Sequence, residues 1–126
     1  MGWIIFNDNP TGRHVGDCAV RAVSNALNMD WESAYALLCM NGYAMGDMPN
    51  SNEVITATLR QKGFYKTFIT DTCPDCYTIH DFCEDFPKGT YVVFSDNHVV
   101  CIKDGDYYDA WDSGDKPAYF YCYRKE

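Results

Sequence analysis

The chain has 126 residues and a formal net charge of -8, from 18 acidic against 10 basic side chains, with 47% hydrophobic and 16% aromatic residues. A single domain over residues 1–126 with enough apolar material for a proper core is expected, and neither nucleic acid nor an anionic membrane is an expected partner, because both recruit clustered Lys and Arg. No apolar run approaches the roughly 20 residues that a bilayer requires, and the opening MGWIIF lacks the basic flank of a secretory signal, so a cytoplasmic protein is expected. Seven cysteines, most of them inside apolar runs, fit reduced thiols packed as small hydrophobes.

Residues 3–6 predict a short strand, and the Asn-Pro and Thr-Gly pairs of residues 7–16 predict a positioned loop. Asp17 is a candidate N-cap for a helix whose apolar face is Ala19, Val20, Ala22, Val23, Ala26 and Leu27, running to Asn28. A second helix is expected from Asp30, carrying Trp31, Ala34, Tyr35 and Leu38, and stopping at Asn41-Gly42. The methionine-rich loop of residues 43–50 is a candidate flank of a binding site. Ser51 then caps a third helix ended by Gly63, residues 64–69 form a strand, and Thr78 with Asp81 makes a capping box for a short helix through Phe86. The remainder reads as strands over 90–95, 99–103, 107–111 and 118–123, with a turn at Asp104-Gly105. Helices followed by an antiparallel sheet make the fold class α+β.

Cys18 is the residue with the most chemistry in it. A thiol at a helix start gains thiolate character from the free N–H groups and the positive end of the helix dipole. A histidine brought alongside completes its activation. His98 begins a strand, and pairing around a turn centred on Gly105 sets Asp112 opposite it, so the carboxylate holds one imidazole nitrogen while the other faces the thiol. His14 and Asp109 are second choices, His14 for its place in the loop before Cys18 and Asp109 because this register turns it to the opposite face from Asp112. Asn97 and Trp111 flank the pair, Trp111 as an apolar cover over it.

Gly16-Asp17-Cys18 opening a buried helix, His98-Val99-Val100 on a strand and Trp111-Asp112 on the next resemble the papain-like and transglutaminase-like cysteine enzymes, and the opening is similar to that of small bacterial and phage proteins. The resemblance spans nearly the whole chain on few residues. It implies a papain-like fold, Cys18 as nucleophile, His98 as general base and acid, Asp112 as orienting acid, and a peptidase, isopeptidase, amidase or acyltransferase acting on a peptide or protein substrate without a cofactor. Papain relatives carry a Gln, and deubiquitinases an Asn, five or six residues before the cysteine as oxyanion donor. Arg13 and Gly12 stand there in this chain, which leaves Asn9 and Asn7 as side-chain candidates and the Cys18 N–H as a backbone one. Asp17 beside the thiol opposes its ionisation while capping the helix.

Two readings compete with an enzyme: a catalytically idle module of the same fold that binds a partner, and a small zinc-stabilised adaptor. The second rests on Cys73, Cys76, His80 and Cys83, which have the ligand types of a structural zinc site, although the last two follow the Cys-x2-Cys half very closely. A local disulfide or plain reduced thiols are the alternatives there. No metal is the preferred expectation.

Overall fold

The computed structural model describes residues 2–70 and 74–124. In chain order these form β1 (Gly2–Ile5), α1 (Cys18–Leu27), α2 (Trp31–Met45), α3 (Asn52–Gln61), β2 (Phe64–Phe68), α4 (Ile79–Asp85), β3 (Thr90–Ser95), β4 (His98–Lys103), β5 (Asp106–Asp109) and β6 (Phe120–Arg124). The class is α+β as expected. The sheet is mixed rather than antiparallel: its order is β1-β5-β4-β3-β6-β2, and β1 runs parallel to β5. The N-terminal strands β1 and β2 thus close both edges of what the sequence presents as a C-terminal sheet.

The central strands are buried on both faces, which is why TYVVFS and HVVCIK read as nearly continuous apolar runs rather than alternating ones. On one face Val99, Cys101, Val92 and Phe94 pack against Ala19, Ala22, Val23 and Ala26 of α1 and against α2 and α3. On the other, Val93, Val100, Ile102 and Tyr107 pack against Ile79, Phe82 and Cys83 of α4. Capping follows the sequence closely. Asp30 accepts from Ser33 N at 2.7 Å, Ser51 accepts from Val54 N at 3.2 Å, and both halves of the Thr78–Asp81 capping box are formed.

Three expectations are corrected. The second helix does not stop at Asn41-Gly42 but runs to Met45 and ends at Gly46, whose φ of 68° is the left-handed conformation that glycine adopts without strain. Gly42 instead serves a close approach: a Cβ there would meet Asp47 O at 2.9 Å, so its absence lets residues 47–49 fold against α2. The third concerns the hairpin. Asp104 and Gly105 both have positive φ and pair Lys103 with Asp106, making a two-residue turn rather than one centred on Gly105. Carried along the ladder, that one-residue shift exchanges the faces of β5, so that Tyr107 and Asp109 share the side of Ile102, Val100 and His98. Among the described residues no helix is long and apolar enough to cross a membrane.

Candidate active site

Cys18 is the first residue of α1, and the apolar face behind it fixes the helix against β3 and β4. His98 is the first residue of β4, placed by a tight β3–β4 turn in which Asn97 takes φ 49° and Ser95 pairs with His98. Cys18 and His98 line one cleft, and His98 and the Val99 N–H each act on the Cys18 thiol to favour its ionised form. Nε2 of His98 donates to Asp109 Oδ2 at 2.6 Å, which leaves Nδ1 as the nitrogen available to the sulfur.

The carboxylate that bonds His98 is therefore Asp109, and Asp112 does not reach the imidazole. Asp112 lies beyond the end of β5, where it accepts from the Tyr107 hydroxyl and from Gly114 N at 3.2 Å. The cause is the hairpin register together with the early end of β5, after which the chain bends at Ala110. The Asp104-Gly105 pair, read as a two-residue loop, is the signal in the sequence that finds Asp109.

Asp109 is 1% exposed and saturated with donors. Besides His98, Oδ2 accepts from Ser113 Oγ at 2.5 Å, while Oδ1 accepts from Ala110 N at 2.8 Å and from Arg21 at 3.1 Å. Arg21, one turn along α1 from Asp17 and only 6% exposed, also holds the Asp17 carboxylate, whose other oxygen accepts from Trp31 Nε1 at 2.9 Å. Asp17 makes no side-chain cap, so the capping role expected of it is replaced by an ion pair that neutralises it beside the thiol. Sequence reasoning missed both Arg21 and Ser113. An arginine on the apolar face of a buried helix is the signal that points to the first, because such a group is retained only with carboxylate partners.

The electrostatics follow from this wiring. Burial opposes ionisation of Cys18, yet the His98 hydrogen bond and charge, the Val99 N–H and Arg21 together hold the thiol below its ordinary pKa. Burial likewise disfavours the imidazolium, but Asp109 and Cys18 outweigh it and push His98 up to about 9. Burial raises Asp109, and the bonds from His98 and Ser113 more than reverse it, leaving the carboxyl below its usual range. Both shifts run in the direction that favours a thiolate–imidazolium pair. By contrast, burial pushes Cys83 and Cys122 up to about 11 and Cys101 up to about 12, as inert core thiols.

Trp111, 46% exposed, has its ring centroid 4.8 Å from that of the imidazole, the two planes tilted at 45°. Asn97 lines the cleft at Cys18, a space of about 360 Å³ whose other walls include Gly16, Asn50, Ser51 and Asn52. Asn50 to Asn52, at the start of α3, are thus part of the site and were read from the sequence only as loop and cap. The side chain of Asn7 is engaged within its own loop, donating to Arg13 O at 3.2 Å and accepting from Asn9 N at 3.2 Å. Asn9 Oδ1 holds the Thr11 turn, and Asn9 lines a neighbouring groove rather than the Cys18 cleft. Neither is placed at the sulfur. The first N–H groups of α1 are the donors that stand there. His14 is exposed in the loop and is no partner of Cys18 in the ion-pair arrangement.

Of the candidate zinc residues, the three that are described, Cys76, His80 and Cys83, form no metal-ligating cluster. Cys76 is disulfide-bonded, Cys83 is buried among the aromatic residues under the sheet, and His80 packs edge-on against Tyr107, with Nε2 4.0 Å from Asp115. Cys73 lies outside the described residues. No cluster of three or more metal-ligating side chains occurs among the described residues. Comparison with known proteins finds no family model, curated protein or solved structure that matches the chain.

Proposed function

We propose that the protein is a cysteine hydrolase or acyltransferase of papain-like fold that works through Cys18, His98 and Asp109. The observation that carries this reading is the unbroken chain from thiol to imidazole to buried carboxylate, with a lowered thiol pKa, a raised imidazole pKa and a cleft open at the sulfur. A structural core thiol has no use for such wiring, as Cys101 and Cys122 illustrate.

In this reading the Cys18 proton passes to His98, and the thiolate attacks the carbonyl carbon of an amide or thioester. The C–S bond forms while the carbonyl electron pair moves to oxygen, in reach of the N–H groups at the start of α1. As the oxyanion collapses, the bond to the leaving group breaks, and the imidazolium gives its proton to the departing amine or thiol. Neutral His98 then takes a proton from water or an acceptor amine, which attacks the acyl-enzyme and releases Cys18 as thiolate. Asp109 holds one tautomer of His98 throughout and stabilises its charged form.

Incubation with a small acyl thioester followed by intact and peptide mass spectrometry tests the reading. Wild-type protein is expected to carry a single acyl group on Cys18 that turns over on adding hydroxylamine, and His98→Ala to carry none. Acyl groups spread over several cysteines, or none at all, would overturn it and leave an idle module of the same fold.

A further inference from the structure

Next to the Cys18 cleft lies a second and larger space of about 700 Å³, walled chiefly by Val15, Trp31, Tyr35, Leu38, Met48 and Pro49. The two are continuous, for Gly16, Ala19 and Asn50 line both. Several of the exposed large apolar side chains collect here: Val15 is 41% exposed, Tyr35 46% and Met48 66%. Apolar surface gathered beside a nucleophile, rather than scattered, marks a place where something apolar binds.

The groove is built rather than incidental. Trp31, the first residue of α2, stacks edge-on with Tyr35 at 5.0 Å and is pinned by its indole N–H to the buried Asp17 carboxylate. Asp17 is held by Arg21, Arg21 holds Asp109, and Asp109 holds His98, so the aromatic wall and the base are fixed to one network. The opposite wall is fixed as well. Gly42 admits the loop against α2, Asp47 N donates to Gly42 O at 2.9 Å, and Ser51 Oγ donates to the Asp47 carboxylate at 2.9 Å. Met48 and Pro49 are thereby set facing Trp31 across the groove.

We infer that this groove is a specificity subsite, and that the substrate carries a large apolar side chain, aromatic or long aliphatic, close to the carbonyl attacked by Cys18. The inference rests on the acyl-transfer reading for the identity of the substrate, but the groove's preference is measurable without catalysis. Arg13, Asp17 and Glu32 also line the groove and bring charge of both signs, so the preference rests on its apolar walls: an acidic side chain loses its hydration against them and a glycine leaves them wet, and both bind worse than a phenylalanyl or leucyl group.

Two arms test this. In the first, Cys18→Ala protein is titrated with N-acetyl-phenylalanyl-glycine amide and its glycyl and aspartyl counterparts while the Trp31 indole N–H resonance is followed. The phenylalanyl peptide is expected to move that resonance with at least tenfold tighter apparent binding than the other two, and Tyr35→Ala or Met48→Ser, both exposed positions, to remove the difference. Equal responses to all three peptides, or none, overturn the subsite. In the second, wild-type Cys18 is modified with matching peptidyl chloromethyl ketones and with iodoacetamide. A phenylalanyl preference among the ketones, each rate scaled to the same protein's iodoacetamide rate, that is lost in Tyr35→Ala supports the subsite. A fast iodoacetamide reaction with no preference among the ketones overturns the subsite and leaves the nucleophile standing. A slow iodoacetamide reaction counts against the nucleophile alone, since the first arm reads the groove independently.

Discussion

Asp109 and Asp112 sit three residues apart at the end of one strand, yet they live in different chemistry. Asp109 is buried and accepts from four donors, among them the Arg21 guanidinium and the His98 imidazole. Asp112 is on the surface, answers a tyrosine hydroxyl and closes a turn at Gly114, where a Cβ would come within 2.2 Å of His80 and 2.5 Å of Tyr107. The difference teaches that the identity of a site carboxylate is decided by strand register: one residue of slip carries each side chain to the opposite face.

Replacing these carboxylates in turn is the severest way to break the comparison. Asp109→Ala leaves His98 and Arg21 facing a void, a loss of about 3–5 kcal/mol of stability for an uncompensated buried charge, together with loss of any excess reactivity at Cys18. Urea denaturation and alkylation rates measure the two effects. Asp112→Asn keeps the turn and is expected to leave the Cys18 rate where it was; a fall comparable to that of Asp109→Ala would restore Asp112 to the site. Arg21→Met is the next largest perturbation. His98 and Ser113 still serve Asp109 in this variant, so the expected loss is smaller, about 2–3 kcal/mol, with a rise in the thiol pKa because one of its positive neighbours has gone. A variant as stable as wild type with an unchanged thiol would remove Arg21 from the account. Trp111→Ala gives the smallest effect, about 0.5–1.5 kcal/mol for one ring contact, visible as a shift of the His98 ring resonances without loss of the triad.

Much of this was legible in the residues. The starts of α3 and α4 were local signals, since the caps Ser51 and Thr78 are written in one or two side chains. The placement of Cys18 and His98 was legible for a similar reason: each begins an element whose start is marked nearby. The carboxylate that bonds His98 was misread, although the Asp-Gly pair held the answer, because a turn counted one residue too long inverts the strand that follows. The parallel pairing of β1 with β5 was not legible, since a four-residue strand carries no mark of its partner's direction. Nor was the groove, whose walls come from α1, α2 and the loop before α3 and meet only through the close approach at Gly42.

The pH dependence of Cys18 alkylation tests the triad most directly. A free thiol gains reactivity only around its ordinary pKa near 8.5. With the Cys18 thiol held below its ordinary pKa and His98 raised to about 9, the Cys18 rate is expected to rise at lower pH than that of a free thiol such as N-acetylcysteine, and to change again only as His98 loses its proton. Asp109→Asn is expected to move the lower limb of that profile up toward an ordinary thiol, and Asp112→Asn to leave it in place. A Cys18 profile that superposes on that of N-acetylcysteine, or one that Asp112→Asn moves and Asp109→Asn does not, would contradict the account.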